Sequence, residues 1–89
     1  MYIQGAIRDA EGVTVASAVT LVSIITVNEN GIIFTASSYR EPYGDISAGL
    51  TVPFRAWNYF CQTSGENTDE TAYRYLLTMD EFSENNIAP

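Results

Sequence analysis

Apolar residues alternate with polar or small residues at the start of the chain. Ile3, Gly5 and Ile7 follow a period of two, which is typical of a half-buried strand. Residues Asp9 to Gly12 have the composition of a turn, because an Asp side chain can bond its own backbone and glycine can take a positive φ. The apolar pattern then resumes at Val15, Val19 and Leu21. The spacing predicts a strand, a tight turn and a second strand.

A second hairpin is predicted directly after the first. Ala18 to Val27 is a long β-branched run with apolar residues on both faces, as a central strand requires. Asn28 to Gly31 contains Asn-Gly, a strong short-range hairpin signal between two β-rich runs. The returning strand is Ile32 to Ser38. Its residues that face one way are Ile32, Phe34 and Ala36.

The middle of the chain predicts a loop and two further strands. Tyr39 to Asp45 has the composition of a loop, with Pro and Gly among charged residues. Ile46 to Val52 predicts a weaker strand, and Pro53 marks a turn or an edge because it cannot donate to a ladder. Phe54 to Cys61 is a strongly aromatic strand. The polar stretch Gln62 to Thr68 ends the β part.

The pattern changes to a helical one near Asp69. Asn67 and Glu70 have the spacing of a capping box, and acids favour the start of a helix. Thr78 and Glu81 suggest a second cap, so we expect the helix to break there. The apolar positions of this segment include Tyr73, Leu76, Leu77 and Phe82.

The predicted fold class is mainly β. We expect one domain, a small antiparallel immunoglobulin-like or transthyretin-like β-sandwich over residues 1–66. Residues 67–84 form a short C-terminal helical segment packed on or beside it, and residues 85–89 form a tail.

Charge is unevenly distributed along the chain. The formal net charge is −7, no Lys is present, and six of the eleven acids lie in residues 66–89. A chain without a basic footprint is a poor partner for a phosphate backbone, so nucleic acid is not an expected ligand. The C-terminal acids are either a solvated face that keeps the protein soluble or a surface for a basic partner.

The residues that usually carry catalysis are largely missing from the sequence. The chain has no His, which excludes Ser–His and Cys–His nucleophile pairs within it. Cys61 is the only cysteine, and its apolar surroundings indicate a small core side chain rather than a reactive thiol. Adjacent carboxylates such as Asp80 and Glu81 point in different directions on a helix. We therefore predict a non-enzyme without metal or cofactor.

No targeting or membrane segment is predicted. The N-terminus lacks a basic region followed by an apolar stretch, so no signal peptide is expected. The longest hydrophobic run, Val19 to Val27, is too short to cross a bilayer. We expect a soluble chain in a cytosol.

The aromatic strand near residue 57 is the candidate contact surface. If Phe54, Ala56 and Phe60 point into the core, the alternate residues Arg55, Trp57 and Tyr59 form an outward row of types common in binding hot spots. The alternative is that both faces are buried by the sheet and the C-terminal helix. The predicted partner interface combines the row with the helical segment and comprises Arg55, Trp57, Tyr59, Tyr73, Leu77 and Phe82.

The opening line of the chain resembles that of a known family. The segment from Ile3 to Leu21, with Gly5, Asp9 and Gly12 at their spacing, resembles the start of transthyretin-like, carboxypeptidase-regulatory-like β-sandwich domains, although Thr14 stands where Pro is usual. The whole chain is similar, more narrowly, to the N-terminal domain of prophage tail fibres, which closes with a short acidic helical stretch like residues 75–89. Val52-Pro53 replaces the Gly-Tyr type of turn of that pattern.

The resemblance implies a function without catalysis or cofactor. It implies a structural phage virion protein, a tail fibre anchor or a baseplate or tail adaptor, assembled in the host cytoplasm. Its partners would be other virion tail or fibre proteins, or further copies of itself, with no role for nucleic acid or membrane. Two alternatives are a small acidic inhibitor that mimics DNA towards a host defence or nucleic-acid enzyme, and a carbohydrate-binding module with Trp57 and Tyr59 as stacking platforms.

Overall fold

Five antiparallel strands form one sheet in the computed structural model, which describes residues 1–49, 51–62 and 69–88. The spatial order of the strands is β4-β3-β2-β1-β5. The strands are β1 Tyr2–Arg8, β2 Thr14–Asn28, β3 Gly31–Tyr39, β4 Arg55–Gln62 and β5 Asn85–Ala88. The helices are α1 Tyr43–Ser47 and α2 Asp69–Leu76, with a 3-10 turn at Asp80–Phe82.

The first hairpin is confirmed. β1 and β2 pair antiparallel, with Ile3 opposite Thr20 and Ile7 opposite Val15, across an irregularity between Gly5 and Ile7. In the turn, the Asp9 carboxylate accepts hydrogen bonds from the backbone N–H groups of residues 11 and 13, at 2.9 and 3.0 Å. Gly12 has a φ of 84°, which costs glycine little.

The second hairpin is also confirmed, with Asn28 opposite Gly31 at its tip. The Asn28 side-chain oxygen accepts hydrogen bonds from the backbone N–H groups of Asn30 and Gly31, at 2.8 and 3.1 Å. Ile32, Phe34 and Ala36 share one face of β3 as predicted, and all three are fully buried.

The mainly β fold class with a short C-terminal helix is confirmed, but the second layer is helical. The described strands form a single sheet, and helix α2 and the 3-10 turn cover one face of it in place of a second sheet. We call this the covered face and the other side the open face. The core lies between the covered face and the helical layer. Its fully buried members include Ile3, Ile32, Phe34, Leu76 and Phe82.

The strand predicted for residues 46–52 is wrong for the described residues 46–49, 51 and 52. Residues 43–47 form α1, which begins after Pro42 and carries Asp45 in its first turn. Proline fixes φ near a helical value without needing an N–H partner, and an acid suits a helix start, so local chemistry favours a helical turn here. Ile46 is buried, and Gly49, with a φ of 78°, follows the helix.

The tail predicted for residues 85–89 is wrong for the described residues 85–88. They form β5, which pairs antiparallel with β1 from Tyr2 opposite Ala88 to Gly5 opposite Asn85. The buried Asn85 also donates a side-chain hydrogen bond to the Ala6 carbonyl at 3.2 Å. The free edge of β1 supplies backbone partners that lie about eighty positions away in sequence, which no local pattern reveals.

The helical segment breaks near Thr78, as expected, although Thr78 does not form the N-terminal cap that the sequence predicts. α2 ends at Leu76, and the 3-10 turn begins at Asp80. The Thr78 hydroxyl donates to the Tyr75 carbonyl at 2.6 Å, so Thr78 closes the end of α2 instead of opening the next turn. The capping box predicted at Asn67 lies outside the described residues.

Tyr73 fastens α2 to the sheet. Its hydroxyl accepts a hydrogen bond from the Val22 backbone N–H at 2.9 Å and donates one to the Met1 carbonyl at 3.1 Å. The β1–β2 ladder has its last pair at Ile3 and Thr20, so this hydroxyl bridges the two strands just beyond that pair. Burial raises the pKa of the Tyr73 hydroxyl, and the Val22 hydrogen bond opposes part of the shift.

Replacing Tyr73 with phenylalanine is expected to lower the free energy of unfolding by about 1–3 kcal/mol, because it leaves the partly buried Val22 N–H without its acceptor. The raised pKa of Tyr73 means that the folded state holds the phenolic proton more tightly. The contribution of this tightly held proton to the free energy of unfolding is complete below about pH 10 and is lost as the pH rises through the raised pKa. Urea titrations of both proteins across that range would measure it. An equal alkaline loss in Tyr73→Phe would contradict this account.

Candidate functional site

The predicted outward row lies on the covered face. β4 pairs with β3 in an unbroken register, with Trp57 opposite Ala36 and Tyr59 opposite Phe34. Residues directly opposite in a ladder share a face, so the buried residues of β3 place Trp57 and Tyr59 on the core side. The expectation that Arg55, Trp57 and Tyr59 face outward is therefore wrong.

Of the three residues predicted to point into the core, Phe54 does pack against it, but Ala56 and Phe60 do not. Ala56 is exposed, and Phe60 keeps 49% of its surface in water. Because aromatic residues lie on both faces of β4, only its register with β3 decides which face is buried.

Trp57 is held between an arginine and a phenylalanine. Its ring meets Phe82 edge-on with the centroids 5.0 Å apart, and the Arg55 guanidinium lies 4.6 Å from its ring centroid. Arg55 also donates a hydrogen bond to the Arg8 carbonyl at 3.0 Å. The Arg55–Trp57 pair thus closes one end of the covered face.

Tyr59 belongs to an aromatic cluster with Phe34 and Tyr75. The ring centroids are 5.8 Å apart for Phe34 and Tyr59, 6.2 Å for Phe34 and Tyr75, and 6.1 Å for the two tyrosines. Burial, followed by the charge of Glu81, raises the pKa of the Tyr59 hydroxyl. These are packing contacts, in which Tyr59 remains half-buried.

The other predicted interface residues also face inward. Tyr73 and Phe82 are buried, and Leu77 packs half-buried against the core. The six predicted residues therefore come together around the core of this chain instead of forming an outward surface. Cys61 lies in the same core, where burial raises the pKa of its thiol.

The open face of the sheet carries a surface that the sequence pattern did not predict. On it, Ile33 of β3 lies directly opposite Phe60 of β4, and the two are 37% and 49% exposed. The next open-face pair along the same two strands is Thr35 and Asn58, whose side chains share a hydrogen bond of 2.7 Å. The residues that make up this patch are Ser23, Thr26, Ile33, Thr35, Ser37, Ala56, Asn58 and Phe60.

The open-face patch carries no charged residue, although the chain has fifteen. Its signal in the sequence is the second set of alternate positions in β3 and β4, where Ser, Thr, Asn and apolar residues occur without Asp, Glu, Lys or Arg. The β1 end of the open face is partly covered, because Tyr2 stacks on Tyr43 of α1 with the ring centroids 4.6 Å apart. The uncovered part of the face therefore lies towards β4.

A cavity of about 410 Å³ opens on the opposite side, between β1, the start of β4 and the 3-10 turn. Two arginines and three acids are among its lining residues, namely Arg8, Arg55, Asp80, Glu81 and Glu84. Within residues 1–49, 51–62 and 69–88, no three metal-ligating side chains come together.

None of the helices in the described part of the chain has the length and apolar character needed to cross a membrane. Comparison with protein-family models, with curated proteins and with solved structures finds no match for this chain.

Proposed function

We propose that this chain is a structural component of a phage virion, a tail fibre anchor or tail adaptor, which acts by docking to other proteins and catalyses no reaction. The observation that supports it best is the open-face patch, where Ile33 and Phe60 lie side by side in water. Scattered apolar residues are normal on a protein surface, whereas adjacent ones on a rigid sheet favour burial against a partner.

The chemistry of the patch favours a protein partner with an uncharged surface. Hydroxyl and amide side chains at Thr35 and Asn58 border the apolar pair, and no acid or base is available there for a phosphate or an ionic ligand. Interface cores are depleted in charge and enriched in aromatic residues, and a subunit of the same assembly would present such a surface. The resemblance of residues 3–21 to tail-fibre N-terminal domains supports a virion as that assembly.

The docking test uses exposed residues, since variants of the core would only test folding. Replacing both Ile33 and Phe60 with serine is expected to reduce the amount of tagged chain in gradient-purified particles at least tenfold, because the apolar patch is lost. Mass spectrometry of the particles measures the amount. Val52→Ser is the matched control, as Val52 is 81% exposed and lies outside the sheet.

Two outcomes would contradict the proposal in different ways. Absence of the unaltered chain from purified particles would refute the virion assignment. Normal incorporation of the Ile33→Ser, Phe60→Ser variant would show that the open-face patch is not the docking surface. Circular dichroism of both variants establishes that each is folded.

A second candidate function rests on the helical layer. Five exposed acids lie on α2, on the 3-10 turn or just after it, namely Asp69, Glu70, Asp80, Glu81 and Glu84. This one-sided negative surface supports the alternative of an acidic inhibitor of a basic enzyme, whose binding would weaken steeply with added salt. The carbohydrate alternative loses its support, because the Trp57 and Tyr59 rings pack against the core.

A further inference from the structure

We propose that a second copy of this chain pairs with the edge strand β4, so that two sheets continue as one across a two-fold axis at Asn58. The inference goes beyond the proposed docking role, since it concerns the outer edge of β4 and not the open-face patch. The pairing would be antiparallel, and each copy would contribute the same strand.

β4 lacks most of the features by which sheet edges usually avoid pairing, although Arg55 at its first position is charged. Among the described strands it is the terminal one of the sheet, and all eight of its residues pair with β3 in register, from Arg55 opposite Ser38 to Gln62 opposite Gly31. It contains no Pro, Lys, Asp or Glu and no bulge. Protected edges carry such residues or are very short, as the four-residue β5 at the other end of this sheet is.

The backbone groups of the outer edge can be assigned from one hydrogen bond. The Ser38 carbonyl accepts from the Phe54 N–H at 2.9 Å, so Ser38 directs its backbone groups towards β4. The direction of the backbone N–H and C=O groups alternates along a strand, so every second residue of β3 bonds to β4. The β4 residues opposite them, including Trp57 and Tyr59, therefore bond to β3. The intervening residues of β4 direct N–H and C=O away from the sheet, and these are Ala56, Asn58, Phe60 and Gln62.

An axis through Asn58 makes the strand complementary to itself. Asn58 then faces Asn58 of the second copy, and Phe60 faces the small Ala56. On the covered face, Trp57 faces Tyr59, an aromatic cross-strand pair of the kind that stabilises sheets. Both rings are half-buried in the single chain, and the second copy would cover their remaining surface.

The charge distribution favours a second copy over a charged partner. Arg55 is the only charged residue of β4, and in this register it faces Cys61 of the other copy, so no like charges meet at the contact. The acids of the chain lie elsewhere. Two chains of net charge −7 still repel at long range, so added salt is expected to strengthen the dimer by screening.

Sedimentation equilibrium of the full chain tests the pairing directly. We expect a concentration-dependent dimer that Asn58→Lys weakens at least tenfold, because two lysines would then face each other across the axis. Ser23→Lys makes the same charge change at an exposed position of β2 and should leave the dimer intact. Thr35→Ala removes the Thr35–Asn58 hydrogen bond and should also leave the dimer intact.

Disulfide trapping tests the register. In a Cys61→Ala background, Asn58→Cys should form an intermolecular disulfide on mild oxidation, because residues directly opposite have Cα atoms about 5.5 Å apart, within disulfide range. Ala56→Cys is the matched control on the same edge and face. In this register the two copies of residue 56 lie about 14 Å apart and should not cross-link.

The outcomes separate this inference from the proposed function. A chain that stays monomeric at millimolar concentration, a dimer indifferent to Asn58→Lys, or trapping through residue 56 instead of 58 would overturn the pairing. A monomer that is nevertheless found in particles would overturn only the pairing and leave the docking role. A β4 dimer that is absent from particles would refute the virion role and leave the pairing.

Discussion

Replacing Phe82 with alanine is expected to lower the free energy of unfolding by about 3–5 kcal/mol, the usual range for a large buried aromatic side chain. Phe82 is fully buried and meets Trp57 edge-on, so the truncation opens a cavity between the 3-10 turn and β4. Urea denaturation followed by Trp57 fluorescence is a suitable measurement, since Trp57 is the only tryptophan.

Phe60→Ala is the matched control for this prediction. It also truncates a phenylalanine, here on β4, but half of the Phe60 surface is already in water. We therefore expect the free energy of unfolding to fall by at most about 1 kcal/mol. Both variants are best compared at low protein concentration, where self-association plays no part. If Phe60→Ala were the more damaging change, the assignment of the two faces of β4 would be reversed.

Replacing Gly5 with alanine is expected to destabilise the fold strongly by displacing β5 from β1. A Cβ at residue 5 would overlap the Glu84 carbonyl and would lie 2.8 Å from the Asn85 Cα, so β5 would have to move away from β1. Overpacking of this kind costs about 1–3 kcal/mol, and here it acts on backbone atoms, which yield least. Hydrogen exchange should show faster exchange at the amides of residues 85–88 than in the unaltered chain.

Gly44→Ala provides the control for the glycine experiment. A Cβ at residue 44 has no neighbour within 4 Å, and alanine is the better helix former by about 1 kcal/mol, so the variant should be neutral or slightly stabilised. Equal tolerance of alanine at residues 5 and 44 would mean that the chain at Glu84 does not lie against β1.

The candidate site could be predicted only in part. The alternation in β3 correctly placed Ile32 and Phe34 in the core, which leaves Ile33 on the opposite face. Phe60 could not be placed in the same way, because both faces of β4 mix polar and aromatic residues. Local patterns assign a face only when the two faces differ in polarity, and β4 does not meet that condition.

Local sequence patterns were enough to predict the two hairpins and the mainly β character of the chain. Asp9 and Asn28 form their turns with hydrogen bonds that span four residues or fewer, so local chemistry was sufficient. The buried face of β4 and the strand at residues 85–88 follow from long-range strand pairing. Those outcomes depend on partners far away in sequence, on Phe34 for Tyr59 and on β1 for β5, and the free energy of such pairings is not encoded in either segment alone.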